Sequence, residues 1–144
     1  MLHKFLFFMD FMGLPTGLRF EPYTYGPFSF DLANNLDFMC LSGEISFTGN
    51  NYNTITEVKD LNFCQVITDY YDRFVQSVGE LSFSALECVG TLLYCVLALK
   101  KSGGGLGDGQ IIEEFKKWKG DKYTDDTIRN YLARLYSAGV INHC

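Results

Sequence analysis

Apolar positions recur along this chain at two periods, and the changes between them mark out its elements. Leu2–Met12 is apolar nearly all round, which predicts a central first helix, and Gly13 and Pro15 stop it. Phe20–Tyr25 alternates like a short strand, and Gly26-Pro27 predicts a turn. Ser29 or Asp31 is placed to cap a second helix running to about Leu41, with Phe30, Leu32, Ala33, Leu36, Met39 and Cys40 as its inward positions. Gly43 fits the end of that helix. Glu44–Thr48 and Tyr52–Val58 flank Gly49-Asn50-Asn51, the pattern of a β-hairpin. Asp60 can then cap a long helix over Leu61–Val78, where Leu61, Cys64, Ile67, Tyr71, Phe74 and Val78 fall at helical spacing. Ser84-Ala85-Leu86-Glu87 has the form of a capping box opening a buried helix that reaches Lys100.

Residues 102–109, Ser-Gly-Gly-Gly-Leu-Gly-Asp-Gly, read as a flexible loop. Gln110–Trp118 predicts a short amphipathic helix broken at Gly120. Thr124, followed by Asp125 and Asp126, predicts the start of a last helix. Its apolar face is Ile128, Tyr131, Leu132, Leu135 and Tyr136, and Gly139 closes it. Ala138-Gly139-Val140-Ile141 parallels Leu41-Ser42-Gly43-Glu44-Ile45, so a short strand is expected after each glycine. The fold class expected is mainly α with a small β-hairpin. A winged-helix-like unit and central helices would fill residues 1–101, and a C-terminal helix–turn–helix would fill residues 110–144. The Gly-rich loop joins them, and all pack as one domain.

Composition narrows the function. The first 99 residues carry four Lys and Arg against eleven carboxylates, whereas residues 100–144 carry eight against six. An acidic body disfavours phosphate binding, so a nucleic-acid contact would come from the last third. The five cysteines, Cys40, Cys64, Cys88, Cys95 and Cys144, match no metal-ribbon spacing and read as reduced, mostly buried thiols of a cytoplasmic protein. Val89–Leu99 is too short a run to span a bilayer, and no membrane segment is expected. His3 and His143 stand at opposite ends of the chain, so no nucleophile–base pair is expected. The glycines of 102–109 lack the Lys-Ser or Lys-Thr of a phosphate loop. No catalytic residue, metal or cofactor is predicted.

Leu2-His3-Lys4-Phe5-Leu6-Phe7 resembles the LQKLLYF-type opening of the Panacea domain, a family associated with SocA-like antitoxins, and of its YwgA-like relatives. Phe20-Glu21-Pro22-Tyr23-Thr24-Tyr25-Gly26-Pro27-Phe28-Ser29-Phe30-Asp31-Leu32 resembles the F-x-x-Y-x-Y-G-P-Y-S-x-x-L segment of the YwgA-like group. Leu41–Ile45 and Tyr52–Thr56 are similar to the elements that follow it. Thr24 stands where the Panacea form has Trp, which places the likeness nearer the YwgA-like branch. It covers about residues 1–60. The resemblance implies a non-enzymatic, antitoxin-like or regulatory role in a bacterial, phage or mobile-element system. The partner it implies is a protein, such as a toxin or a regulatory target.

Two sets of contact residues follow. Tyr23, Tyr25 and Phe28, beside the Gly-Pro turn, are the candidate protein contacts, since aromatics near an exposed turn can anchor a partner. Lys116, Lys117, Lys119, Lys122, Arg129, Asn130 and Arg134 are the candidate nucleic-acid contacts of the alternative, a DNA-binding regulator using the C-terminal helix–turn–helix. The second helix offers Asn34 and Asn35 but no cation, so the N-terminal unit is not expected to read DNA. A homodimer is left open.

Overall fold

A computed structural model of the chain describes residues 1–48, 51–54 and 61–142, without the side chains at positions 51, 54 and 61–64. In order, the elements are α1 (Leu2–Phe11), β1 (Glu21–Tyr23), β2 (Gly26–Phe28), α2 (Phe30–Leu41), β3 (Ile45–Thr48) and β4 (Asn51–Thr54). They continue with α3 (Leu61–Val78), α4 (Phe83–Ser102), α5 (Asp108–Lys119) and α6 (Asp125–Ser137). The protein is therefore mainly helical, and its described residues form two small antiparallel sheets, β1–β2 and β3–β4. The expected continuation of the second hairpin over residues 55–58 and the expected cap at Asp60 lie outside the described residues.

Helix starts follow their caps. Ser29 Oγ accepts from the Leu32 N–H at 3.1 Å and Thr124 Oγ1 from the Thr127 N–H at 3.2 Å. The start of α4 departs from expectation. Ser82, not Ser84, is the N-cap, and its Oγ accepts from the Ala85 N–H. Glu87 consequently has no capping task, and its side chain is available elsewhere. At the end of α2, Gly43 takes φ +79° and the Glu44 N–H returns to the Met39 carbonyl, which releases the chain into β3. Gly139 closes α6 in the same way, but among the described residues no strand follows. Val140 and Ile141 instead bury themselves in the core.

The Gly-Pro segment also differs from the expected turn. The reversal falls at Thr24-Tyr25, while Gly26 and Pro27 belong to a strand that pairs with β1 in the register Tyr23↔Gly26 and Pro22↔Pro27. Gly26 has φ +108°, which only glycine adopts without strain. The Gly-rich segment is a built connection, shorter than expected. Gly103 ends α4 at φ +71°, Asp108 already belongs to α5, and the Gly107 N–H donates to Gln110 Oε1 at 3.0 Å.

The axis of the fold is α4. Its Cys88, Val89, Leu92, Leu93, Cys95 and Val96 are buried, surrounded by Phe5 and Phe8 of α1, Phe74 and Val78 of α3, Ile111 and Phe115 of α5, and Ile128 and Leu132 of α6. By length and composition α4 could cross a membrane, with mean hydropathy 1.6. Here its apolar sides are covered by the other helices. Burial raises the Cys88 and Cys95 thiols to about 12, so both are inert. A smaller cluster of Leu32, Leu36 and Ile45 seats α2 and β3 against Leu2 and Leu6 of α1. Phe30, expected to face inward, is half exposed.

The β1–β2 hairpin packs on α4 at a notch. Gly90 faces Pro27, and a Cβ there would stand 3.0 Å from Pro27 Cδ. The proline ring is buried and cannot rotate away. Gly90→Ala should cost about 1–3 kcal/mol of overpacking, against a gain of about 1 kcal/mol in helix propensity. A net loss near 1 kcal/mol is expected in urea denaturation, and Pro27→Ala in the same chain should recover it.

Candidate functional site

Under the β1–β2 hairpin lies a buried carboxylate held by groups distant in sequence. Glu87 is 1% exposed. Lys122 Nζ donates to both its oxygens at 2.9 Å, Lys119 Nζ lies 2.9 Å from Oε1, and the Tyr123 hydroxyl donates to Oε2 at 3.1 Å. Lys119 also donates to the Thr24 carbonyl at 2.7 Å, tying the end of α5 to the hairpin tip. Its side chain is only 7% exposed. Burial pushes the Glu87 carboxyl up, but hydrogen bonds from Lys122 and Lys119 outweigh it and hold the group below its usual range. Burial and the adjacent Glu87 raise Tyr123 to about 12, so it remains a donor. The ammonium of Lys4 adds to the positive field, and burial lowers its pKa, with Glu87 opposing and Lys119 reinforcing the shift.

Above this network the hairpin presents aromatic rings. Tyr23 contacts Phe28 and Phe30 with ring centroids 5.1 and 6.0 Å apart, and Phe28 meets Phe30 edge-on at 5.0 Å. Tyr25 meets Phe83 edge-on at 4.9 Å, and the Lys122 ammonium stands 5.9 Å over the Tyr25 ring. Tyr23, Tyr25, Phe30 and Phe83 are each about half exposed. Phe28 is more enclosed: it stacks on His3 of α1 at 4.2 Å and 11°, while His3 Nδ1 accepts from the Ser29 N–H at 3.1 Å. Burial, then the charge of Lys4, lowers the His3 pKa and keeps that nitrogen an acceptor. Two of the three aromatic contacts proposed from sequence thus lie on the surface, and the third mainly anchors the hairpin to α1.

The candidate nucleic-acid residues are not brought together as one face. Lys119 and Lys122 turn inward to Glu87. Lys116 pairs with Asp125, and Lys117 with Glu114 at 3.1 Å. The Arg134 guanidinium lies against Gly79, where a Cβ would meet Nη1 at 2.6 Å. Arg129 and Asn130 are exposed on α6.

Sequence reasoning missed Glu87, Phe30 and Phe83 as site residues. The available signal for Glu87 was a single carboxylate inside an otherwise apolar helix, which has to be paired if it is buried. Between hairpin, α4 and α5 there is also a cavity of about 320 Å³. No protein-family model, curated protein or solved structure matches the chain.

Proposed function

We propose that this chain is a non-enzymatic interaction module of regulatory or antitoxin-like type, which docks a protein partner on the aromatic surface of the β1–β2 hairpin. The observation that carries the reading is two pairs of half-exposed rings, Tyr23 with Phe30 and Tyr25 with Phe83, held around a hairpin fastened from below. Aromatic side chains dominate binding energy at interfaces, and rings already packed in place lose little conformational freedom on docking. The YwgA-like and Panacea resemblance over residues 1–60 and a winged-helix-like reading of α1, α2 and the β3–β4 hairpin support the same class. Inert, buried thiols at Cys88 and Cys95 suit a cytoplasmic protein.

The test compares partner capture from the native host by the wild-type chain and by Tyr23→Ala/Tyr25→Ala. One protein retained at fixed stoichiometry by the wild type should be bound ~30-fold more weakly by the variant, the loss of one hot-spot side chain of about 2 kcal/mol. The variant should keep the circular dichroism of the parent. Undiminished capture would place the interface elsewhere. The alternative, a DNA-binding regulator, predicts affinity for duplex DNA at low salt that falls on Lys116→Glu/Lys117→Glu. With Lys119 and Lys122 held under the hairpin against Glu87, and Lys116 and Lys117 paired with Asp125 and Glu114, we expect no such affinity.

A further inference from the structure

We propose that the cavity between the β1–β2 hairpin, α4 and α5 is a binding site for a small organic anion: a carboxylate on a flat, apolar body. Its volume, about 320 Å³, lies at the lower end of small-molecule sites. Pro22, Tyr23 and Pro27 wall it on the hairpin side, and Thr91, Tyr94 and Trp118 on the helix side. Tyr94 and Trp118 meet edge-on with centroids 6.0 Å apart, which leaves apolar surfaces suited to a planar ring.

The polar groups set the charge of the ligand. Lys119, Lys122 and Glu87 line the cavity, so two ammonium groups face one carboxylate. That carboxylate already accepts from Lys119, Lys122 and Tyr123 and has little capacity for a further donor. Each ammonium has three N–H bonds. Lys119 directs two at Thr24 and Glu87, and Lys122 directs two at the Glu87 oxygens. One donor on each is left for an incoming acceptor. Thr91 provides an independent observation. It is 4% exposed, lines the same cavity, and its Oγ1 has no hydrogen-bond partner among the described residues. A buried hydroxyl is normally paired, and a bound carboxylate would pair this one once the Thr91 side chain turns toward the cavity. A cationic ligand would meet the net positive charge, and a neutral amide would accept from an ammonium without offsetting that charge.

The chain has one tryptophan, Trp118 in the cavity wall, so its fluorescence reports on occupancy. The titration uses benzoate, its neutral isostere benzamide, benzylamine and inorganic phosphate. Benzoate should change Trp118 fluorescence saturably and bind at least tenfold more tightly than benzamide or phosphate, while benzylamine gives no saturable change. Thr91→Val, which keeps the side-chain shape, should weaken benzoate fivefold or more. Lys122→Gln, at the half-exposed end of the network, should do the same and serves if the valine variant misfolds. No saturable response to benzoate, equal affinity for benzamide, or unchanged affinity in both variants would overturn the proposal. None of these outcomes bears on partner capture by the tyrosines, which is read separately.

Discussion

Glu87→Gln should be among the most damaging single substitutions in this protein, costing about 3–5 kcal/mol, the range for breaking a buried ion pair from one side. The side chain keeps its size, so the loss is electrostatic. Lys119, 7% exposed, would retain the Thr24 carbonyl but lose its counter-charge in a poorly solvated position. Lys122 can turn to water, because its side chain is half exposed, and should contribute less. In a chain of this length the loss corresponds to a fall in Tm on the order of 10 °C. Chemical denaturation of Glu87→Gln, Lys119→Met and the double variant separates the causes. If the unpaired ammonium is the penalty, the double variant should be more stable than Glu87→Gln alone. A double variant no better than the single one would rule that explanation out.

The same pair fixes the acid response. Glu87 titrates below its ordinary value when folded, so the folded state binds its proton less readily than the unfolded chain. Its stabilisation is therefore complete above about pH 4.3, the unperturbed glutamate value. It is lost as pH falls further, through the folded pKa. Glu87→Gln should lack this part of the acid sensitivity, which stability curves at a series of pH values would measure.

Local rules made most of the helices legible. The cap at Thr124 and the glycines at 43 and 139 act within a few residues, so sequence alone located those ends. It narrowed the other cap to Ser29 or Asp31, of which the structure uses Ser29. The site was less legible because its parts come from far apart. Ser84 and Glu87 have the spacing of a capping box, and that spacing concealed a carboxylate whose partner Lys122 lies 35 residues away. Lys119 and Lys122 fall in a basic cluster that reads naturally as a solvated face. Their inward turn follows only once α5 lies against α4. Phe30 shows the same limit on the apolar side: helical spacing favoured burial, whereas the hairpin aromatics recruit the ring outward. Tyr23 and Tyr25 were legible as surface residues because a tight turn leaves large side chains little interior to enter.

Phe74→Ala is expected to cost about 3–5 kcal/mol, as deletion of a buried aromatic ring does. Phe74 is 1% exposed, with its ring centroid 5.4 Å from Phe5 and 5.2 Å from Phe8. Those two rings belong to α1, so Phe74 links α3 to the helix that also carries His3 and Lys4 beneath the aromatic hairpin. Neighbouring rings are stiff and Phe5 is further held by Tyr71 at 5.4 Å, so the space left by the ring should not collapse. Phe74→Leu, which keeps much of the volume, should cost about half as much. Leu41→Ala, at a position almost fully exposed, should change stability by no more than about 0.5 kcal/mol. Urea denaturation of the three variants orders them. In hydrogen exchange, Phe74→Ala should lose protection first along α3, because α4 retains its contacts with α1, α5 and α6. A cost below about 1 kcal/mol for Phe74→Ala would mean that α3 is not fastened to α1 through this ring.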